Sequence, residues 1–114
     1  MLFRSGATAV LGAHPHILQP VVPVSTTAGD AVVAYSLGNF IWDPRSGATG
    51  ETGVLELRFD GPKLAAIRFA PHRLDGNGWA RAVDSSSVRG RAISARVGRR
   101  CPGAPGVSSW DASS

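Results

Sequence analysis

A strand-dominated α/β fold is what this 114-residue chain predicts, from three features of its sequence. Five short runs are β-branched or alternate between apolar and polar residues, turn formers are abundant with Gly 14 and Pro 8, and only one stretch near the C-terminus carries a helical period. Hydrophobic residues at 43% and charged residues at 18% are ordinary for a globular chain, and the length allows one small domain.

Taken in order, residues 2–6 read as the last turn of a helix closed by Gly6 in the left-handed cap conformation. Ala7 to Leu11 is a short buried strand, ended by Gly12 where the backbone turns tightly or approaches a neighbour. Val21 to Ser25 and Ala31 to Tyr35 are two further strands, joined by a hairpin loop over Thr26 to Asp30. Ser36 to Phe40 breaks the strand pattern, and Asp43 to Gly53 reads as a flexible loop. Val54 to Phe59 and Leu64 to Ala70 form a hairpin around Asp60-Gly61-Pro62-Lys63, with Leu55, Leu57 and Phe59 on one face opposite Ala65, Ile67 and Phe69. Gly76, Gly78 and Trp79 leave the sheet as a loop, and Trp110 shows no partner. Ser85 to Val97 is a helix capped by Ser85 or Ser86, with Val88, Ala92 and Ala95 on its apolar face and Gly90 weakening it. Residues 1–83 are thus expected as one domain and 84–114 as a basic, Ser, Gly and Arg-rich tail without order from Gly98 onward.

Composition excludes several functions. A lone cysteine, Cys101, rules out an internal disulfide framework and a Cys-based zinc site. No apolar run is long enough for a membrane helix, and the N-terminus has no signal-peptide layout. The net charge of +4 is not a folded basic face, because six cations balance six anions over residues 1–80. The excess lies further on, where Arg81, Arg89, Arg91, Arg96, Arg99 and Arg100 meet only Asp84 and Asp111. Those arginines are not interleaved with aromatics, so nucleic-acid binding ranks last among the functions considered.

The informative segment is Gly12-Ala13-His14-Pro15-His16. His14 precedes proline and is expected to be extended, which would point both imidazoles the same way from Cα atoms about 6.6 Å apart. Such a pair can converge on one metal, or on two metals roughly 3.5–4 Å apart. An HPH triplet on its own is more often a solvated loop than a ligand pair.

The runs LGAHPHILQP, YSLGNFIWD and TGVLELRFDGPKLAAIRFAPHRLDG, in that order, resemble the C-terminal part of the CapA, or poly-gamma-glutamate capsule biosynthesis, family over roughly residues 1–76. The resemblance implies part of a metallophosphatase-type, calcineurin-like β-sandwich with flanking helices and a terminal hairpin. It implies a metal-dependent phosphoesterase-type hydrolase with a dinuclear divalent-metal centre such as Mn, Fe or Zn, acting on a phosphate-type substrate, small or polymeric. His14 and His16 match the paired histidine ligands, although Ala13 stands where many relatives place another histidine. Asn39 and Ser36, with Gly38, match the SLGNF motif and are expected to contact substrate or support the ligands; for Asn39 a plain turn role is the alternative. Family members are commonly attached to the membrane or exported through N-terminal sequence.

What the resemblance leaves out is equally specific. The family's Asp, Asn, Glu and further His ligands precede the paired histidines, yet only thirteen residues precede His14 and none is acidic. Asp30 falls in a hairpin loop and Asp43 after the SLGNF motif, and neither replaces a strand-end bridging carboxylate. The chain is therefore expected to be inactive alone and to need an N-terminal polypeptide that completes fold and site. A non-catalytic structural or interaction piece that folds on such a partner is the alternative. His72 is expected to pack in core or surface, and Trp42 to plug the loop from beneath more than to line a pocket.

Overall fold

The computed structural model describes residues 2–98 and the backbone of Trp110–Asp111; Cys101 and the arginines at 99 and 100 lie outside the described residues. A 3₁₀ turn at Leu2–Ser5 ends at Gly6, which has φ of 94° as expected of a left-handed cap. It leads into β1 (Ala9–Leu11), and β2 (Val21–Thr26) and β3 (Gly29–Ala34) follow as a hairpin. That hairpin is tighter than its polar sequence predicts: Thr26 pairs with Gly29, leaving Thr27-Ala28 as the turn. The Thr26 hydroxyl closes it, donating to the Gly29 carbonyl at 2.7 Å and accepting the Ala28 N–H at 3.2 Å.

The first sheet has the order β1-β3-β2, with β1 parallel to β3 in the register Ala9↔Val32, Val10↔Val33 and Leu11↔Ala34. This pairing fixes where the site can form. Parallel neighbours end at the same edge, so the segments after Leu11 and after Ala34 leave the sheet side by side.

The second sheet is built on the long hairpin of β4 (Glu51–Asp60) and β5 (Lys63–Leu74), extended by β6 (Ala80–Ala82). The expected hairpin is present, but a bulge shifts the register between Arg58 and Phe59, so that Arg58 faces Ala66 while Phe59 faces Leu64. The extra residue is Ala65, and the bulge turns Leu64 into the core beside Ile67 and Phe69 in its place. Phe59, expected on one face with Leu55 and Leu57, is 42% exposed while those two are partly buried. Pairing also begins earlier than expected, at Glu51↔Arg73, because β5 runs on to Leu74 and offers partners for Glu51 to Gly53. Order was not expected after Gly98, yet Trp110–Asp111 forms β7, parallel to Ile67 and Arg68 of β5, a stretch that β6, paired only with His72–Leu74, does not reach.

The helix α1 (Val88–Val97) is capped by Ser87, not by Ser85 or Ser86. The Ser87 Oγ accepts the Gly90 N–H at 3.0 Å. Its buried face is Gly90, Ile93, Ser94 and Val97, whereas Val88 is 79% exposed and Ala92 and Ala95 face outward. Gly90 sets that rotation: a Cβ here would strike the Asp84 carbonyl, so the missing side chain lets the helix close on the segment before it. Ile93 and Val97 join Leu64, Ile67 and Phe69 of β5, Val21, Val32 and Ala34 of the first sheet, and Leu18 from the loop before β2 in one buried cluster. Two small sheets and one helix therefore share a core, and an ion pair from Arg96 to Glu51 ties α1 to the start of β4.

Candidate functional site

The site sits where β1 and β3 end. The Gly12 N–H donates to the Ala34 carbonyl at 2.7 Å, carrying the parallel pairing one step past β1. Gly12 comes so near the Tyr35 carbonyl that any Cβ would collide with it. Further along, Leu18 and Leu37 form an isolated antiparallel bridge, and the Gln19 N–H donates to the Ser36 carbonyl at 3.0 Å. The His-Pro-His loop is thus clamped at both ends against the SLGNF segment.

Ser36 and Asn39 are buried beneath the loop, at 1% and 6% exposure. The Ser36 hydroxyl donates to the Pro15 carbonyl at 2.9 Å and accepts the Gly38 N–H at 3.1 Å, which makes it a strut under Pro15. Gly38 has φ of 73°, and a Cβ there would lie 2.8 Å from the Glu51 carbonyl oxygen, so the turn needs glycine for both torsion and space. The buried Thr52 hydroxyl donates to the Leu37 carbonyl at 2.7 Å and anchors this turn to the second sheet.

The Asn39 amide nitrogen donates to two carbonyls, Thr49 at 3.0 Å and His16 at 3.3 Å. Only an N–H can face a carbonyl, so these contacts fix the amide orientation and leave Oδ1 as the atom 2.6 Å from Nδ1 of His16. Oδ1 can only accept, so Nδ1 carries the proton and the neutral imidazole keeps its lone pair on Nε2. This is how a ligating histidine is usually prepared: the second ring nitrogen donates to a fixed oxygen, which sets both tautomer and ring direction.

His14 departs from the expected geometry. Its φ is 101°, the one positive value at a non-glycine residue among those described, so the triplet is not extended and the two imidazoles do not stand in strand-like succession. The cause is closure between fixed points. Gly12 is held by Ala34 and Pro15 by Ser36, and the proline disfavours the right-handed helical region for His14, so the reversal falls on a positive φ. His14 and His16 nevertheless border one open cleft of 490 Å³, together with Ser36, Asn39, Phe40, Ile41 and Trp42. All four residues singled out in the sequence therefore meet in one place.

Trp42 lines that cleft, against the expectation of an apolar plug. Its ring lies 5.0 Å from the His16 imidazole between centroids, tilted by 45°, and the residue is 47% exposed. The wall is held from outside, because Ile41 bridges to Trp79 and the Trp42 N–H donates to the Gly78 carbonyl at 3.2 Å. A second hollow of 210 Å³ adjoins the first and brings Arg45 and Thr49 to His16, Asn39 and Trp42. Nothing in the sequence marked Arg45 or Thr49 except their place six and ten residues after Asn39. His72 stays outside the cleft, with Nδ1 3.0 Å from the Ala70 carbonyl and its ring 5.8 Å from that of Phe40.

Among the described residues no group of three or more His, Cys, Asp or Glu comes together as a metal site. From the described residues the cleft draws two imidazoles and no carboxylate. That donor set fits one side of a metal centre and does not fit a complete dinuclear one, which needs bridging oxygen ligands to offset the charge. No helix among the described residues is long and apolar enough to cross a membrane.

Residues 1–44, less than half of the chain, match the family model described as bacterial capsule synthesis protein PGA_cap. The matched span contains β1, the His-Pro-His loop, the β2–β3 hairpin and the SLGNF turn. No curated protein and no solved structure matches the chain.

Proposed function

We propose that this chain provides the paired-histidine side of a divalent-metal centre in a metallophosphatase-type hydrolase connected with capsule or poly-gamma-glutamate synthesis. The match of residues 1–44 to a capsule-synthesis family supports the family connection. The hydrogen bond from His16 Nδ1 to Asn39 Oδ1 carries the chemical part, since it directs the lone pair of the neutral ring to Nε2 and sets the ring's direction from buried structure. In this reading His14 and His16 are ligands, Asn39 holds His16, and Ser36 holds the loop through Pro15. The remaining ligands and the rest of the sandwich come from polypeptide outside these 114 residues, and this chain alone is inactive. A divalent ion bound there would supply Lewis-acid polarisation of a phosphoryl oxygen.

The decisive experiment is long-range ¹H–¹⁵N NMR of the histidines, followed by Zn²⁺ and Mn²⁺ titration. The expected results are an Nδ1–H tautomer for His16 and weak binding that is lost in His16→Ala and kept in His72→Ala. An Nε2–H tautomer, or equal losses in the two variants, would contradict the assignment.

A second reading is a non-catalytic piece that docks on a partner polypeptide. It is favoured by the exposed apolar rim, with Leu11 and Ile41 each 65% exposed and Tyr35 50%. Association with upstream-encoded polypeptide in the absence of any divalent-metal binding would select it.

A further inference from the structure

The geometry points to Arg45 as the anchor for an oxyanion in the hollow beside His16. This deepens the reading of the cleft given above and rests on it for the reaction, while the binding itself needs no metal. The hollow of 210 Å³ is lined by His16, Asn39, Trp42, Arg45 and Thr49, so among the described residues Arg45 is its one fixed cation and no carboxylate lines it.

Asn39 and Thr49 are already engaged. The Asn39 amide is held by the Thr49 and His16 carbonyls, and the Thr49 hydroxyl donates to the Ser46 carbonyl at 3.0 Å. Among the described residues the Arg45 guanidinium pairs with the Asp43 carboxylate, 4.0 Å away, with the two side chains 49% and 85% exposed. A pair so long and so solvated holds the guanidinium weakly and yields to an anion that accepts its fork of donors directly.

The loop that carries Arg45 is set in place by the same residue that orients His16. Asn39 ties down the Thr49 carbonyl, and Gly50 packs so closely on the Arg45 carbonyl that a Cβ would collide with it. A 3₁₀ turn at Gly47–Gly50 links these two points. Arg45 and the imidazole are therefore held in register across one small hollow. The ligand class is a compact oxyanion, a phosphoryl or a carboxylate group.

The test uses the whole 114-residue chain in EDTA-treated buffer at neutral pH, titrated with inorganic phosphate and, separately, with acetate. The readouts are the Arg45 Nε–H and Asn39 side-chain amide signals. Phosphate should shift both, and Arg45→Gln should weaken the response about tenfold or more, as expected for loss of a charge-assisted hydrogen bond. Arg45→Lys should recover part of it, and Arg58→Gln, on the distant hairpin, should leave it unchanged. A preference for phosphate assigns a phosphoryl ligand, and equal or better binding of acetate a carboxylate. Wild-type phosphate binding by Arg45→Gln, or an equal loss in Arg58→Gln, overturns the proposal. A collapsed loop would be recognised by displaced Asn39 signals before any phosphate is added, and Arg45→Lys then decides the matter by binding or failing to bind. Zinc affinity is read on separate aliquots of the same protein, free of EDTA and phosphate: its absence alongside intact phosphate binding defeats the metal reading and leaves the Arg45 site standing.

Discussion

Asn39 grips His16 twice, accepting from the imidazole at 2.6 Å through Oδ1 and donating to the His16 carbonyl at 3.3 Å through Nδ2. Ring and backbone of the same histidine are thus fixed by one buried amide. Asn39→Ala should leave the Thr49 and His16 carbonyls without this donor, costing about 1–3 kcal/mol in urea denaturation. It should also release the tautomer, so that His16 shows both Nδ1–H and Nε2–H forms by NMR. An unchanged single tautomer would show that the amide does not direct the ring.

Thr52 is fully buried and its hydroxyl is the link from the second sheet to the Leu37 carbonyl at 2.7 Å. Thr52→Val keeps the shape and removes the donor, so stability should fall by about 1–2 kcal/mol, with amide shift changes concentrated in residues 36–39. Thr52→Ser, which restores the hydroxyl, should recover those shifts.

The two apolar residues of α1 that sequence periodicity and structure rank differently give a clean contrast. Ile93 is fully buried while Val88 is 79% exposed. Ile93→Ala should cost roughly 2–4 kcal/mol through lost burial and a residual cavity, and Val88→Ala less than about 0.5 kcal/mol. Denaturation midpoints of the two variants check this directly, and comparable losses would place the helix in a different rotation.

Asp75 supplies a pH-dependent support to the cleft wall. Its carboxylate accepts from Arg81 Nε at 2.7 Å and from the Asn77 and Trp79 N–H groups at 2.8 and 3.0 Å. These bonds, that to Arg81 foremost, hold its pKa below the ordinary value of 3.8. A lowered folded-state pKa stabilises the fold above that ordinary value, and the contribution is lost as pH falls below 3.8 through the depressed value. The turn it closes carries Gly78 and Trp79, which brace Trp42 and Ile41. Acid titration by NMR should therefore move the Trp79 and Trp42 amides together with the Asp75 carboxyl. In Asp75→Asn that joint transition should vanish.

The sequence carried the site residues farther than their geometry. His14, His16, Ser36 and Asn39 could be picked from two short motifs, because the residue types and order were distinctive, and the parallel β1–β3 pairing does bring all four to one cleft. Strands and the long hairpin were legible from alternation, which reports faces and not register. The bulge that exchanges Ala65 for Leu64 in the core leaves no such mark. The helix face was misjudged because Gly90 reads locally as a weak helix former, whereas its role is tertiary, set by how near the Asp84 carbonyl lies. The twist at His14 was hidden for the same reason: proline predicts an extended neighbour, and only the two anchors on either side of it demand otherwise.

That twist has a cost. A φ of 101° is a torsion glycine adopts freely and an L-residue resists, at about 1–3 kcal/mol. His14→Gly should therefore raise the melting temperature while removing one of the two imidazoles from the cleft. Selection for stability alone, in a display library or a thermostability screen, would drift toward glycine at position 14 and discard a binding group on the way. A chain improved by that route would be a sturdier scaffold with half its nitrogen donors gone.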